Sequence, residues 1–171
     1  MVGITSYGAY VPIYRLNRSE LARAWAGGAA SGERAVANWD EDSVTMGVAA
    51  ALDCLKGIDH KLVDSLYFAT TTSPFKESQC STILATATNM RRDVFSGDFT
   101  NSLRSGTIAL KAAIDAVKAG SAKRALVVAS DSRLGEPKSE HERLFGDGAA
   151  AVMVGDTDVI ASIEGVYSHS D

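Results

Sequence analysis

Two short runs without a charge constrain this chain most: ALVVA at 125–129 and AAAVMV at 149–154. A strand that is apolar at every position, not at every second one, is covered on both sides, as in a sheet with helices over both faces. Each run falls far short of the roughly 20 apolar residues of a membrane span. The remaining pattern alternates. Strands are predicted at 2–11, 62–71, 93–99, 124–130, 149–154 and 159–167. Between them lie helical patterns. One starts at Asn17, with Glu20 three residues on as a capping-box partner, and runs through Ala26 to Gly27 and Gly28. A second begins near Asp40 or Asp42, with Val44, Val48, Leu52 and Leu55 on one face and Gly57 as its stop. A third covers 79–89. The strongest covers 105–119, with Leu110, Ala113, Ile114 and Val117 on one face and Gly120 as its stop. The segments 29–38 and 131–143 read as a loop and a charged excursion. The expected fold class is α/β, a mixed five-stranded sheet with helices on both faces.

The chain's 171 residues suit one domain or a large part of one. Seventeen basic and 21 acidic residues give a formal charge of −4, which argues against a nucleic-acid footprint. No basic segment followed by an apolar core opens the chain, so a cytoplasmic protein that neither crosses nor binds a membrane is expected. Cys54 and Cys80 are too few for a disulfide framework. With His60, His141 and His169 they show no metal-ligand spacing, so no metal is expected.

Chemistry is best placed in DFTNSLRSGTIAL, 98–110, where a strand enters a tight turn and then a hydrophobic helix. Such an elbow can hold a side chain at the positive end of a helix dipole, where backbone N–H groups can bind an oxyanion; it can equally be a plain strand–helix connection. LFGDGAAA, 144–151, sets Asp147 between two glycines. No Lys-Ser/Thr and no helix follow, which argues against a phosphate loop.

Together these segments resemble the thiolase superfamily, specifically the hydroxymethylglutaryl-CoA synthases and the third-class ketoacyl synthases. The resemblance runs from GITSYGAYVP through DEDSVTMGVAAAL to LFGDGAAAVMVGD and implies a thiolase-like half-domain. It also implies that LFGDGA is a structural turn. The family's elbow reads Ala-Cys-x-x-Gly-Thr. Matching its Gly-Thr to Gly106 and Thr107 puts Leu103 at the nucleophile position, and leucine has no atom that can be acylated. Matching Pro74-Phe75 to the family's Pro-Tyr puts Thr71 at the general-acid position, where a threonine cannot serve. Glu77, six residues on, reads as a solvated loop charge. Thiolase-fold subunits have two similar halves, and this chain resembles the first; the family's catalytic histidine and asparagine come from the second. The three histidines here read as surface residues.

Other residues read as structural. Cys54 and Cys80 are expected to be buried. Trp25 and Trp39 are expected to pack in place of clamping CoA. Arg91-Arg92 is too short a charged pair for a phosphate site without partners. Ser102 and Ser105 have no base nearby in the sequence.

The resemblance implies a subunit of an acyl-CoA Claisen-type carbon–carbon bond-forming or -cleaving system that lacks its own nucleophile, with no cofactor beyond a coenzyme A thioester as substrate. Two alternatives stand beside it: an active synthase or acyltransferase completed by a second half or partner chain, and a structural dimerisation module without a CoA site. The partners implied are acyl-CoA, a second-half chain, a thiolase and a zinc-ribbon/OB-fold protein. An oligomer is expected through the 93–99 strand, Asp93 at its start and Phe99 at its end. The 105–119 helix reads as apolar nearly all round and is therefore expected to be covered by a second half or another copy.

Overall fold

The computed structural model describes residues 1–27 and 31–169. In chain order the elements are β1 (Gly3–Tyr10), β2 (Tyr14–Asn17), α1 (Arg18–Ala24), β3 (Glu33–Val36), α2 (Ser43–Cys54), β4 (Ser65–Ala69), α3 (Cys80–Ala87), β5 (Phe95–Phe99), α4 (Ser105–Lys118), β6 (Arg124–Asp131), α5 (Glu140–Leu144), β7 (Gly148–Gly155) and β8 (Ala161–Ser162). One turn of 3₁₀ helix, His60–Leu62, precedes β4.

The main sheet has six strands in the order β5-β4-β6-β7-β1-β8. β4 pairs in parallel with β5 and with β6; the other pairings are antiparallel. The sheet is therefore mixed, as expected, with six strands where five were expected. The sixth is the two-residue β8, all that pairs of the strand predicted over 159–167. The hairpin β2–β3 replaces part of the predicted 29–38 loop. Its strands are four residues each and pair only with each other, too short for a hydrophobic period to register. The 131–143 excursion likewise contains the start of a five-residue helix, α5. Gly28, expected as part of a helix stop, lies outside the described residues.

Side chains alternate cleanly between two layers. Leu66, Phe68, Leu126, Val128, Ala151 and Met153 meet α2 and α3 on one face. Tyr67, Ala69, Ala125, Val127 and Val154 meet α4 on the other. The β6 run is thus buried on both faces, but the expectation fails in part for β7, where Ala151, Met153 and Val154 are buried while Ala150 is exposed and Ala149 and Val152 are half-buried; a fully buried Val, Leu or Met side chain contributes about 1.5–3 kcal/mol.

α2 starts at a capping box: the Asp42 carboxylate accepts from Val44 N and Thr45 N, and Asp42 N donates to Thr45 Oγ1. Of the predicted face, Val44 and Leu55 are buried and Val48 packs against the core, but Leu52 is exposed; Met46, Gly47, Ala50, Ala51 and Cys54 are buried with them. Small residues win because α2 lies almost on the backbone of β1. A Cβ at Gly8 would stand 2.2 Å from Cys54 N. The capping box predicted for α1 does not form. Asn17 accepts from Ser19 N and Ser19 Oγ, while Glu20 pairs with Arg23 along the helix.

α4 is amphipathic, not apolar all round. Ala109, Ala113, Ile114 and Val117 are buried, while Lys111 and Asp115 form an exposed ion pair one turn apart. Ile108 is half exposed beside them.

Candidate active site

β4, β5 and β6 run in parallel, so their carboxyl ends open on one side of the sheet, where ligands of open α/β sheets bind. The loops leaving β4 and β5 enclose a cleft of about 610 Å³, lined by Thr71, Ser73, Phe75, Gln79, Asp98 and Asn101 among others.

Two carboxylates organise this end. Asp98, on β5, reaches across to α3 and accepts from Cys80 N (2.6 Å) and Ser81 N (2.8 Å). The positive end of α3 is thereby neutralised by the protein's own carboxylate. Asp131, at the end of β6, gathers the loop after β4. Its Oδ1 accepts from Thr71 N (2.7 Å) and from the hydroxyls of Thr70 (3.0 Å), Thr71 (3.0 Å) and Thr72 (2.9 Å). Thr72 Oγ1 in turn accepts from Ser132 N. Four donors converging on one oxygen make Asp131 a brace for the loop after β4. Asp131 carries no signal in the sequence; it stands at the end of a long apolar run, 60 residues from its partner.

Leu103 lies in the turn before α4 with its side chain 78% exposed. The turn places Asn101 in the left-handed region, φ 64°. It is closed by Ser102, whose Oγ accepts from Arg104 N (3.1 Å), and by Ser105, whose Oγ donates to the Ser102 carbonyl. Both serines are committed to backbone, and no basic side chain activates either. Thr71 and Glu77 do meet in the one cleft, Glu77 exposed at its wall; Leu103 is not among the lining residues.

The remaining candidates fall outside the chemistry. Cys80 and Cys54 are buried, and burial pushes both thiols up; the Ser73 and Ser6 hydroxyls, respectively, offset this in part. His60 is half-buried, a correction to its surface reading, with Nδ1 2.7 Å from the Thr88 carbonyl. His141 is exposed and stacks on Phe145, and His169 is exposed. Trp25 is exposed, a correction to its packing expectation, and is held at the surface by donating from Nε1 to Glu142 with Lys138 over its ring. Trp39 does not pack: it is 92% exposed. The LFGDGA turn stitches β7 to the hairpin. Asp147 N donates to the Ala35 carbonyl, Ala37 N donates to the Asp147 carboxylate, and Arg34 donates to the Phe145 carbonyl.

Residues 97–171 match the family model of 3-oxoacyl-[acyl-carrier-protein] synthase III. The hydroxymethylglutaryl-CoA synthase of Pyrococcus horikoshii is 37% identical over 173 residues, covering 98% of this chain and 49% of the relative. Among solved structures, the priming β-ketosynthase of the R1128 polyketide pathway superposes with a TM-score of 0.81 at 26% identity, over 93% of this chain and 51% of that one. MvaS in complex with hydroxymethylglutaryl coenzyme A superposes with a TM-score of 0.82 at 25% identity, over 92% of this chain and 40% of that one. The chain spans about half the length of the curated relatives it matches. Similarity along nearly its whole sequence, on this layered mixed sheet, makes the chain a hydroxymethylglutaryl-CoA synthase-like member of the thiolase superfamily.

Proposed function

We propose that this chain is a subunit of an acyl-CoA Claisen-type carbon–carbon bond-forming or -cleaving system that supplies no nucleophile of its own and works in the cytoplasm. It corresponds to the first half of a thiolase-like domain. The observation that carries this reading is Leu103: a leucine at the family's nucleophile position, with both neighbouring serines tied to backbone. The general-acid position supports it. Thr71 there is held against Asp131 through both its N–H and its hydroxyl.

The chain then acts by association, with acyl-CoA handled together with other polypeptides: a second-half chain, a thiolase and a zinc-ribbon/OB-fold protein. Two surfaces support association. β5 is an edge strand whose Phe95 is 63% exposed, edge-on to Tyr67. On the face that carries α4, Tyr7 of β1 stands 72% exposed. The coverage of only half of each relative favours one further reading, an active synthase completed by a second half or partner chain.

Intact-mass spectrometry after incubation with acetyl-CoA tests the proposal. The expected mass is that of the unmodified chain. A stable acetyl group mapped to Ser102 or Ser105 overturns it. An adduct on this chain that appears only with an added partner selects the completed-synthase reading.

A further inference from the structure

The sequence offers Arg91-Arg92 as a pair too small to hold a phosphate. The fold brings it partners. At the amino ends of β4, β5 and β6, a hollow of about 760 Å³ contains Lys61, Arg91 and Arg92 in its wall. A second hollow of about 380 Å³ shares Lys61 and Arg91 with it and adds Lys123 and Arg124. Among the described lining residues Asp64 is the one carboxylate, and it is fully engaged. Its Oδ1 accepts from Arg91 Nη2 (3.0 Å), and its Oδ2 accepts from Lys123 N (2.7 Å) and Arg124 N (3.0 Å). Asp93 adds only an exposed contact, 3.4 Å from Arg91 Nε, which lacks hydrogen-bond geometry and is buried without an acceptor. Lys61 Nζ is held by Asn89 Oδ1 (3.0 Å) and the Met90 carbonyl (3.1 Å), which leaves one of its three N–H donors unused. Lys61, Arg92, Lys123 and Arg124 have no carboxylate within ion-pair distance among the described residues.

The carboxyl ends of α3 and α4 lie at this end of the sheet and attract cations, but a helix end offsets only about half a unit charge. Lys123 and Arg124 also border a neighbouring hollow with Asp156 and Asp158, neither of which pairs with them among the described residues, and within the two hollows themselves five cations face one carboxylate, a local excess of positive charge on a chain whose net charge is −4. Such an excess in concave surface concentrates anions. The size of the hollows suits a small molecule, not a macromolecular surface. Because they share two cations, a ligand with two linked charged centres can engage both, which a single carboxylate cannot. Arginine and lysine converging from several directions match phosphate oxygens.

We propose that the amino end of the sheet is a binding site for a small diphosphate compound, with Lys61, Arg91 and Arg92 on one side and Lys123 and Arg124 on the other. The cations of the site gather at the amino ends of the strands, whereas the cleft opens at their carboxyl ends; the two hollows approach each other at Gln79 of the cleft, which bonds Ser96 and Thr82 of the site, and the position of the ligand-induced shifts separates this proposal from the function proposed for the cleft.

Calorimetric titration of the chain with inorganic pyrophosphate at low ionic strength is the test, with amide chemical shifts followed by NMR. Saturable one-to-one binding is expected, with shifts confined to residues 61–64, 89–94 and 120–124. Arg92→Ala combined with Lys123→Ala changes two solvent-facing side chains and should keep the fold by circular dichroism while weakening binding about tenfold or more. Absence of saturable binding overturns the proposal. So do unchanged affinity in the double variant, shifts centred on the carboxyl-end cleft, or displacement of pyrophosphate by polyglutamate at equal charge, which would make the surface a dock for acidic polypeptides.

Discussion

The two faces of the sheet are finished differently. On one, α2 and α3 cover Leu66, Phe68, Leu126, Val128 and Met153, all fully buried. On the other, α4 lies alone, meeting Tyr67, Val127 and Val154 through Ala109, Ala113, Ile114 and Val117, and the strands beyond it leave Tyr7 in solvent. A face built of Phe, Leu and Met against two helices carries most of the burial. A face covered by one helix, beside an uncovered aromatic, is where the proposed association would be sited. The same sheet thus divides its labour, and the division can be measured.

The largest effect belongs to the covered face. Phe68→Ala should cost about 3–5 kcal/mol, and Ile114→Ala on the buried side of α4 about 2–3 kcal/mol, because the lone helix can settle into the space left behind. Equilibrium denaturation in urea measures both; equal losses would erase the distinction between the faces. Next comes the brace at the carboxyl end. Asp131→Ala strips the acceptor from three hydroxyls and the Thr71 N–H at once, and should cost about 1–3 kcal/mol, toward the lower figure because the loop can turn to water. Tyr7→Ser should change the stability of the dilute chain by no more than about 0.5 kcal/mol. If association covers that face, the loss grows with protein concentration, and thermal unfolding across a dilution series reads it.

The smallest effect is one of pH. Asp53, at the end of α2, has its carboxyl held below the usual range by the Lys56 ammonium and then by the Ala9 N–H. A lowered folded-state pKa contributes stability above the ordinary carboxylate range, and this is lost as pH falls through the folded value. Asp53→Asn should therefore lower the melting temperature slightly near neutrality, and the two proteins should converge in acid.

How much of this was legible beforehand depended on length and on locality. The apolar runs of β6 and β7 and the α4 period announced themselves within a few residues. The mixed α/β class followed from alternation, whereas the strand order did not show in the sequence. The hairpin β2–β3 did not show, because two four-residue strands carry too little pattern. α2 was found with Val44, Val48 and Leu55 in or against the core, but Leu52 is exposed: large residues dominate a periodicity count, whereas the close approach to the sheet rests on the small residues Gly47, Ala50 and Ala51. Trp39 illustrates the converse, a bulky residue assumed to pack that stands in solvent. The proposed loss of chemistry at Leu103 and Thr71 was readable in residue type once the resemblance had supplied the positions. The replacement structure was not, since Asp131 and Asp98 act across the sheet on backbone far away in sequence.

Asp98 also ties the formation of a helix to the formation of a strand. The first two amides of α3 have no acceptor within their own helix and borrow one from β5, an element that follows α3 in the chain. Until β5 has docked beside β4, α3 begins without its cap. Its opening turn should therefore fray and re-form together with the edge strand, and hydrogen exchange at Cys80 and Ser81 should track β5 and not the interior of the helix. A partner that clamped that edge would slow exchange at the start of α3 without touching it.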